Sequence, residues 1–243
     1  MTDITFADVL ALVWFMGCWI GFDAVSRRRT THTHSLVSAL RIHRRRWVAT
    51  MPHRENNQVD AQILNNLLRF ALFFATTTIF ILAGLVALLG TTQKVVETVS
   101  ALPFAAPLSL WMWEVKVLLL VAIFVYAFFK FTWSSWQYNA LSILVGQAAT
   151  QRGSAEREER FVECASRVAA YAGYNFNHGM RAYYLSMAAM SWFLHPWLMI
   201  AATTLIVLVL YRREFRSNTL EAFVAGLEPG ELGAAPGTET VSH

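Results

Sequence analysis

The chain has 243 residues, of which 56% are apolar and only 15% charged, whereas a soluble domain carries about a quarter charged residues. The apolar residues gather into long runs instead of recurring at amphipathic spacing, which argues against a water-soluble domain and for one embedded in lipid. The net charge of +4 rests on seventeen arginines and three lysines; this set suits phosphate at a membrane surface, so membrane lipids are the expected partner, and no nucleic-acid motif accompanies it.

The first apolar run, Phe6 to Phe22, carries Trp14 and Trp19 and is bracketed by Asp8 and Asp23. It lacks the basic start and the small-residue cleavage site of a signal peptide, so a retained span is expected. The second, Phe70 to Leu89, has about twenty residues without charge, which at 1.5 Å per residue matches a hydrocarbon core of about 30 Å. The third, about 108–133, follows Pro103 and Pro107, with Trp111 and Trp113 at one end and Trp133 and Trp136 at the other, the pattern of two aromatic belts. The fourth stretch, Tyr183 to Tyr211, is too long for one crossing at roughly 43 Å, and the crossing is placed at 187–211. His195-Pro196 interrupts it, so a kink or a helix start is expected there. In one arrangement Trp192, His195 and Trp197 form an inner interfacial belt and residues 183–192 lie on the surface; in the other His195 lies deep in the bundle.

Two long connections remain. Residues 23–69 hold nine arginines and residues 134–182 hold five, while Lys94 and the C-terminal Arg212, Arg213 and Arg216 fall on the other side. The positive-inside rule then puts both connections in the cytoplasm and both termini outside a bacterial-type inner membrane, with the three C-terminal arginines dissenting. Phe161, Cys164, Ala165, Val168, Tyr171 and Ala172 predict an amphipathic cytoplasmic helix ended by Gly173; Leu36, Leu40, Trp47, Val48 and Met51 predict a shorter one stopped by Pro52. The expected fold is therefore all-α: a polytopic membrane protein with four transmembrane helices and amphipathic cytoplasmic helices. One membrane domain covers 1–217, and a Gly- and Glu-rich tail, 218–243, is expected to be disordered. Cys18 and Cys164 fall at different depths and are not expected to pair.

Candidate site residues lie in three groups. Asn177, Arg181 and Tyr184 stand at i, i+4 and i+7, which places amide, guanidinium and phenol on one helix face as an anion or head-group site; the plainer alternative is a snorkelling arginine and a capping asparagine. Gln62, Asn66 and Arg69 repeat the spacing ahead of the second span. Glu114, Lys116 and Lys130 are charges inside the third span, where charge usually marks function. Lys130, near the inner end, is explained by snorkelling, and Glu114 and Lys116 point to different faces. His32, His34 and His43 have no carboxylate or cysteine beside them, and the motifs of nucleotide binding and of hydrolytic enzymes are missing. No metal, cofactor or catalytic residue is expected.

The segments Arg46–Met51, Asp60–Asn66, Trp113–Lys116, Phe128–Trp133, Asn177–Tyr184 and Tyr211–Phe215, in that order, resemble the bacterial and plant membrane family catalogued as domain of unknown function 599. The resemblance covers about residues 6–217 and implies about four spans, with no activity, cofactor or catalytic residue to carry over. Functionally, the expectation is a non-enzymatic membrane protein whose arginine-rich cytoplasmic face binds anionic lipid or docks a partner membrane complex. The alternative is a small transporter or channel for an ion or anionic solute, formed by one chain or by a homo-oligomer. An enzyme would have only the Asn177, Arg181 and Tyr184 face to rest on.

Overall fold

The computed structural model describes residues 5–32, 35–91 and 110–227. His34, Lys94, the start of the expected third span and the tail beyond residue 227 lie outside the described residues. The elements are α1 (Phe6–His32), α2 (Leu36–Thr50), α3 (Gln58–Gly90), α4 (Leu110–Gly146), α5 (Ala155–Ser191), α6 (Pro196–Phe215) and α7 (Asn218–Ala225). Short 3-10 turns occupy Met51–His53 and Ala148–Gln151. Every regular element among the described residues is helical.

Local chemistry sets several boundaries. Ser35 and Ser38 form a reciprocal capping box that starts α2, and Pro52 lies in the turn that follows it. His195 caps α6, accepting the Trp197 N–H, and Pro196 fills the first helical position, where its missing N–H costs nothing. The expected break at His195-Pro196 is thus a helix start. Gly173 does not end a helix: α5 runs through it and through Gly179 without interruption. Both glycines are notches. A Cβ on Gly173 would run into the Arg44 guanidinium of α2, and one on Gly179 would sit 2.6 Å from the Phe131 ring of α4.

Over Phe6–Arg28, α1 is long and apolar enough to cross a membrane, as are α3 and α4, the mark of a multi-pass membrane protein. With 33 and 37 residues, α3 and α4 measure about 50 and 55 Å, well beyond a hydrocarbon core of about 30 Å. The excess projects at one end. There a second core forms from Val48, Met51, Leu64, Leu141, Phe161 and Ala165, contributed by α2, the turn that follows it, and α3 to α5. Fully buried Asp60 pins this end, accepting the Trp47 indole at 2.7 Å and Arg54 at 2.5 Å.

The longer apolar core fills the rest of the bundle. Phe74 of α3 stacks on Phe131 of α4, centroids 5.2 Å apart, while Tyr183 of α5 meets both rings edge-on. The hydroxyl of Tyr183 bonds Thr78 at 2.8 Å, so the phenol enters this apolar layer without an unsatisfied polar atom.

Chain direction follows from the pairs. Antiparallel α4 and α5 pair Ser134 with the Ala172 carbonyl at 2.8 Å near one end and Lys116 with the Trp192 carbonyl at 2.9 Å at the other. After the turn, α6 returns beside α1 and in the same direction: Trp192 at the turn donates to Asp8 at 2.8 Å, Trp14 to Thr204 at 3.1 Å, and Ser26 to Glu214 at 2.6 Å. The start of α1 and the end of α6 therefore lie at opposite ends of the bundle. The expectation of both termini on one side does not fit this geometry. Within the stretch 183–211, where the sequence pattern places one crossing at 187–211, the residues to Ser191 complete α5 and those from Pro196 make α6. Trp192 is correspondingly buried, 2% exposed, at the end away from the arginine-rich connections. Leu185, Ala188 and Ala189 are core residues and not surface ones.

Residues 218–225, assigned from sequence to a disordered tail, instead form α7. Ser217 caps it, and it docks on α2, where His43 meets the Phe223 carbonyl at 3.0 Å and Arg46 donates to the Gly226 carbonyl at 3.0 Å.

Candidate functional site

Arg181 is the hub of the polar interior. It is 9% exposed and reaches from α5 into the seam between α1 and α6. Its Nη2 donates to Glu214 Oε2 at 2.7 Å and to Ser26 Oγ at 2.8 Å, while Ser26 donates to the other Glu214 oxygen at 2.6 Å. Its Nη1 lies 3.6 Å from Asp23, and the Phe22 ring lies against the guanidinium, 4.9 Å from its carbon. Asp23 also takes Arg27, one turn along α1, at 2.8 Å and stands 3.4 Å from His178. The Tyr126 hydroxyl and the Tyr174 ring close the other side of that imidazole. Two guanidinium groups thus balance two carboxylates; Arg27 stands in the open, while Arg181 and Glu214 are buried as a pair, the condition for keeping those two charges out of water.

The helix periodicity explains the constellation. Tyr174, His178 and Arg181 stand at i, i+4 and i+7 on α5, and Phe22, Asp23 and Ser26 fall within one turn of α1. The face predicted from sequence is rotated from the one that forms. Of its three members, Arg181 meets Glu214, Tyr184 receives a hydrogen bond from Arg213 at 3.2 Å, and Asn177 is half-buried. The guanidinium fork of Arg181 is filled from within the chain. Gln62, Asn66 and Arg69 are exposed on α3 and do not come to Arg181; α3 meets α5 through Phe70, Phe74 and Thr78, which face Phe176 and Tyr183.

The three charges of the third span separate. Glu114 is exposed. Lys116 is 4% exposed, bonded to the Trp192 carbonyl and set 5.2 Å from that residue's ring centre, with Asp8 on the same tryptophan's indole N–H. Lys130 is half-buried and donates to Asn175 at 3.1 Å; Asn175 in turn donates to Gln137 at 2.9 Å.

Sequence reasoning found Arg181 but missed Asp23, Ser26, His178 and Glu214 as its partners. A signal existed: Asp23 and Ser26 share a helix face at i and i+3, and Glu214 is a lone acid among three arginines at the end of an apolar run. Among the described residues, no group of three or more His, Cys, Asp or Glu could hold a metal ion, and both cysteines are free thiols.

No curated protein and no solved structure matches the chain. The family model described as Protein of unknown function, DUF599, matches residues 10–219, a segment that takes in all seven helices apart from the first turn of α1 and most of α7, and the chain belongs to that family.

Proposed function

We propose that this is a non-enzymatic inner-membrane protein whose arginine-rich end lies in the cytoplasm and binds anionic lipid head groups. The observation that carries the proposal is the parallel run of α1 and α6. It brings Arg212, Arg213 and Arg216 to the same end as Arg27, Arg28, the α2 arginines and those that open α5, so the arginines that dissented in the sequence count join the rest. Five helices then cross the lipid, with the N-terminus outside and the C-terminal α7 inside against α2. An odd number of crossings brings the arginines of every connection to the cytoplasmic side and leaves Lys94 alone among the loop cations outside, as the positive-inside rule favours. Exposed Gln62, Asn66 and Arg69 belong to the same cytoplasmic face.

A buried arginine held by Glu214 and Ser26 supports a structural role for the Arg181 cluster, and leaves lipid binding to the exposed arginines around it. The transporter alternative needs a polar path from that cluster to Asp8 and Lys116. Between them lie Phe15, Phe124, Ala182 and Leu185, all buried and apolar, which favours the lipid-binding role.

The test is lipid retention by the full-length protein, purified in neutral detergent and titrated with phosphatidylglycerol or phosphatidylcholine. Each basic group near an anionic surface contributes about 1 kcal/mol, so the anionic lipid should raise thermal stability and the neutral one should not. Equal responses to both lipids would refute the proposal.

A further inference from the structure

A shallow groove of about 320 Å³ opens on the outside of the bundle between α4 and α5, lined by Tyr126, Phe129, Lys130, Thr132, Trp133 and Asn175. The Lys130 ammonium donates to Asn175 Oδ1 at 3.1 Å and lies 5.6 Å from the Tyr126 ring centre. Asn175 cannot swing away, because its amide nitrogen is held by Gln137 Oε1 at 2.9 Å and the Tyr171 carbonyl at 3.0 Å. A lysine that only snorkels keeps its charge on a flexible stem in head-group water. This one is tethered in the groove, with one of its three N–H donors committed to Asn175.

The walls fit a lipid. Phe129 is 65% exposed and Trp133 52% exposed, and Trp136 stacks on Trp133 with centroids 4.9 Å apart and planes 8° from parallel. From Trp111 to Trp133 the helix rises about 33 Å, so the two aromatic ends of α4 mark the two edges of the hydrocarbon. Lys130 then sits one turn inside the cytoplasmic edge, next to the depth of lipid phosphates.

We infer that this groove seats one anionic phospholipid, with its phosphate on Lys130, its head group beside Trp133, and an acyl chain along Phe129 and Tyr126 toward the bilayer centre. The inference rests on the anionic-lipid function proposed above and gives it a defined site.

Native mass spectrometry of the full-length protein tests it, with phosphatidylglycerol, phosphatidylcholine and soluble glycerol phosphate as probes. Wild type should retain phosphatidylglycerol in preference to phosphatidylcholine, and glycerol phosphate should not displace it. Lys130→Met should weaken phosphatidylglycerol binding about tenfold or more, the loss expected for one charge-assisted hydrogen bond, and Lys130→Arg should restore most of it. Thr132→Glu, at an exposed position that leaves the fold intact, should do the same damage by repelling the phosphate. If Lys130→Met and Thr132→Glu bind phosphatidylglycerol as wild type does while wild type still prefers it, the groove is not the site and only this inference fails. No preference in wild type would remove the broader function as well. Displacement by glycerol phosphate would show a site for a free anion and overturn the lipid occupant.

Discussion

Replacing Arg181 gives the sharpest test of what holds α1, α5 and α6 together. Arg181→Ala leaves the carboxylates of Glu214 and Asp23, with side-chain exposures of 9% and 21%, without their shared cation. Removing one partner of a buried ion pair costs about 3–5 kcal/mol, which for a chain of this size lowers the midpoint by roughly 2–4 °C per kcal/mol, a fall on the order of 10 °C. Lysine keeps the charge but offers one ammonium where the guanidinium meets Glu214 and Ser26 together through Nη2 and faces Asp23 through Nη1, so Arg181→Lys should lose about 1.5–3 kcal/mol. A double substitution separates charge from shape. Adding Glu214→Gln to Arg181→Met removes the orphaned carboxylate and should recover part of the loss, since the pair is coupled. Thermal unfolding of Arg181→Ala, Arg181→Lys, Arg181→Met, Glu214→Gln and the double variant in one detergent is the assay. Full stability in Arg181→Lys, or strictly additive losses in the double variant, would refute the view that the cluster is a coupled clasp.

Three further expectations follow from the packing. Gly179→Ala forces a methyl into the Phe131 ring, which is fully buried, and should cost about 1–3 kcal/mol as overpacking does; Gly84→Ala, with nothing within 4 Å, should be neutral or stabilising by up to about 1 kcal/mol. Equal effects at the two glycines in a thermal-shift assay would show that the α4–α5 notch is not tight. Asp60→Ala removes the acceptor of Trp47 and Arg54 and should loosen α2, exposing the Arg44–Arg46 run to trypsin faster than in wild type; unchanged cleavage rates would contradict that. Truncation before Ser217 removes α7 from α2 and should likewise speed cleavage at Arg41; an unchanged rate would contradict the docking of α7.

Much of the architecture was legible because lipid imposes length and apolarity on a helix. Phe70–Leu89 and the tryptophans around 111 and 133 lie within α3 and α4. What was not legible was where those helices stop. α3 begins at Gln58, because Gln62, Asn66 and Arg69 continue the helix as an exposed face beyond the lipid, and apolarity marks only its embedded part. Gly173 read as a terminator because glycine lacks a side chain, yet its use here is the space it leaves for Arg44, a tertiary requirement invisible to local pattern. The reversal at Pro196 was readable as a break but not as a change of direction, since the apolar run continues on both sides. The partners of Arg181 lie 155 and 33 residues away, and no local spacing joins Ser26 to Glu214. Only the parallel packing of α1 and α6 does so.

That packing is also what the topology stands on, and cysteine accessibility measures it directly. In a chain whose Cys18 and Cys164 are replaced by serine, single cysteines at Phe6, Arg44 and Arg216 are probed with a membrane-impermeant maleimide in cells with a permeabilised outer membrane and an intact inner one. The account predicts labelling at position 6 and protection at positions 44 and 216 until the inner membrane is opened. Labelling of position 216 while position 44 stays protected would put the C-terminus outside and contradict the five-helix crossing.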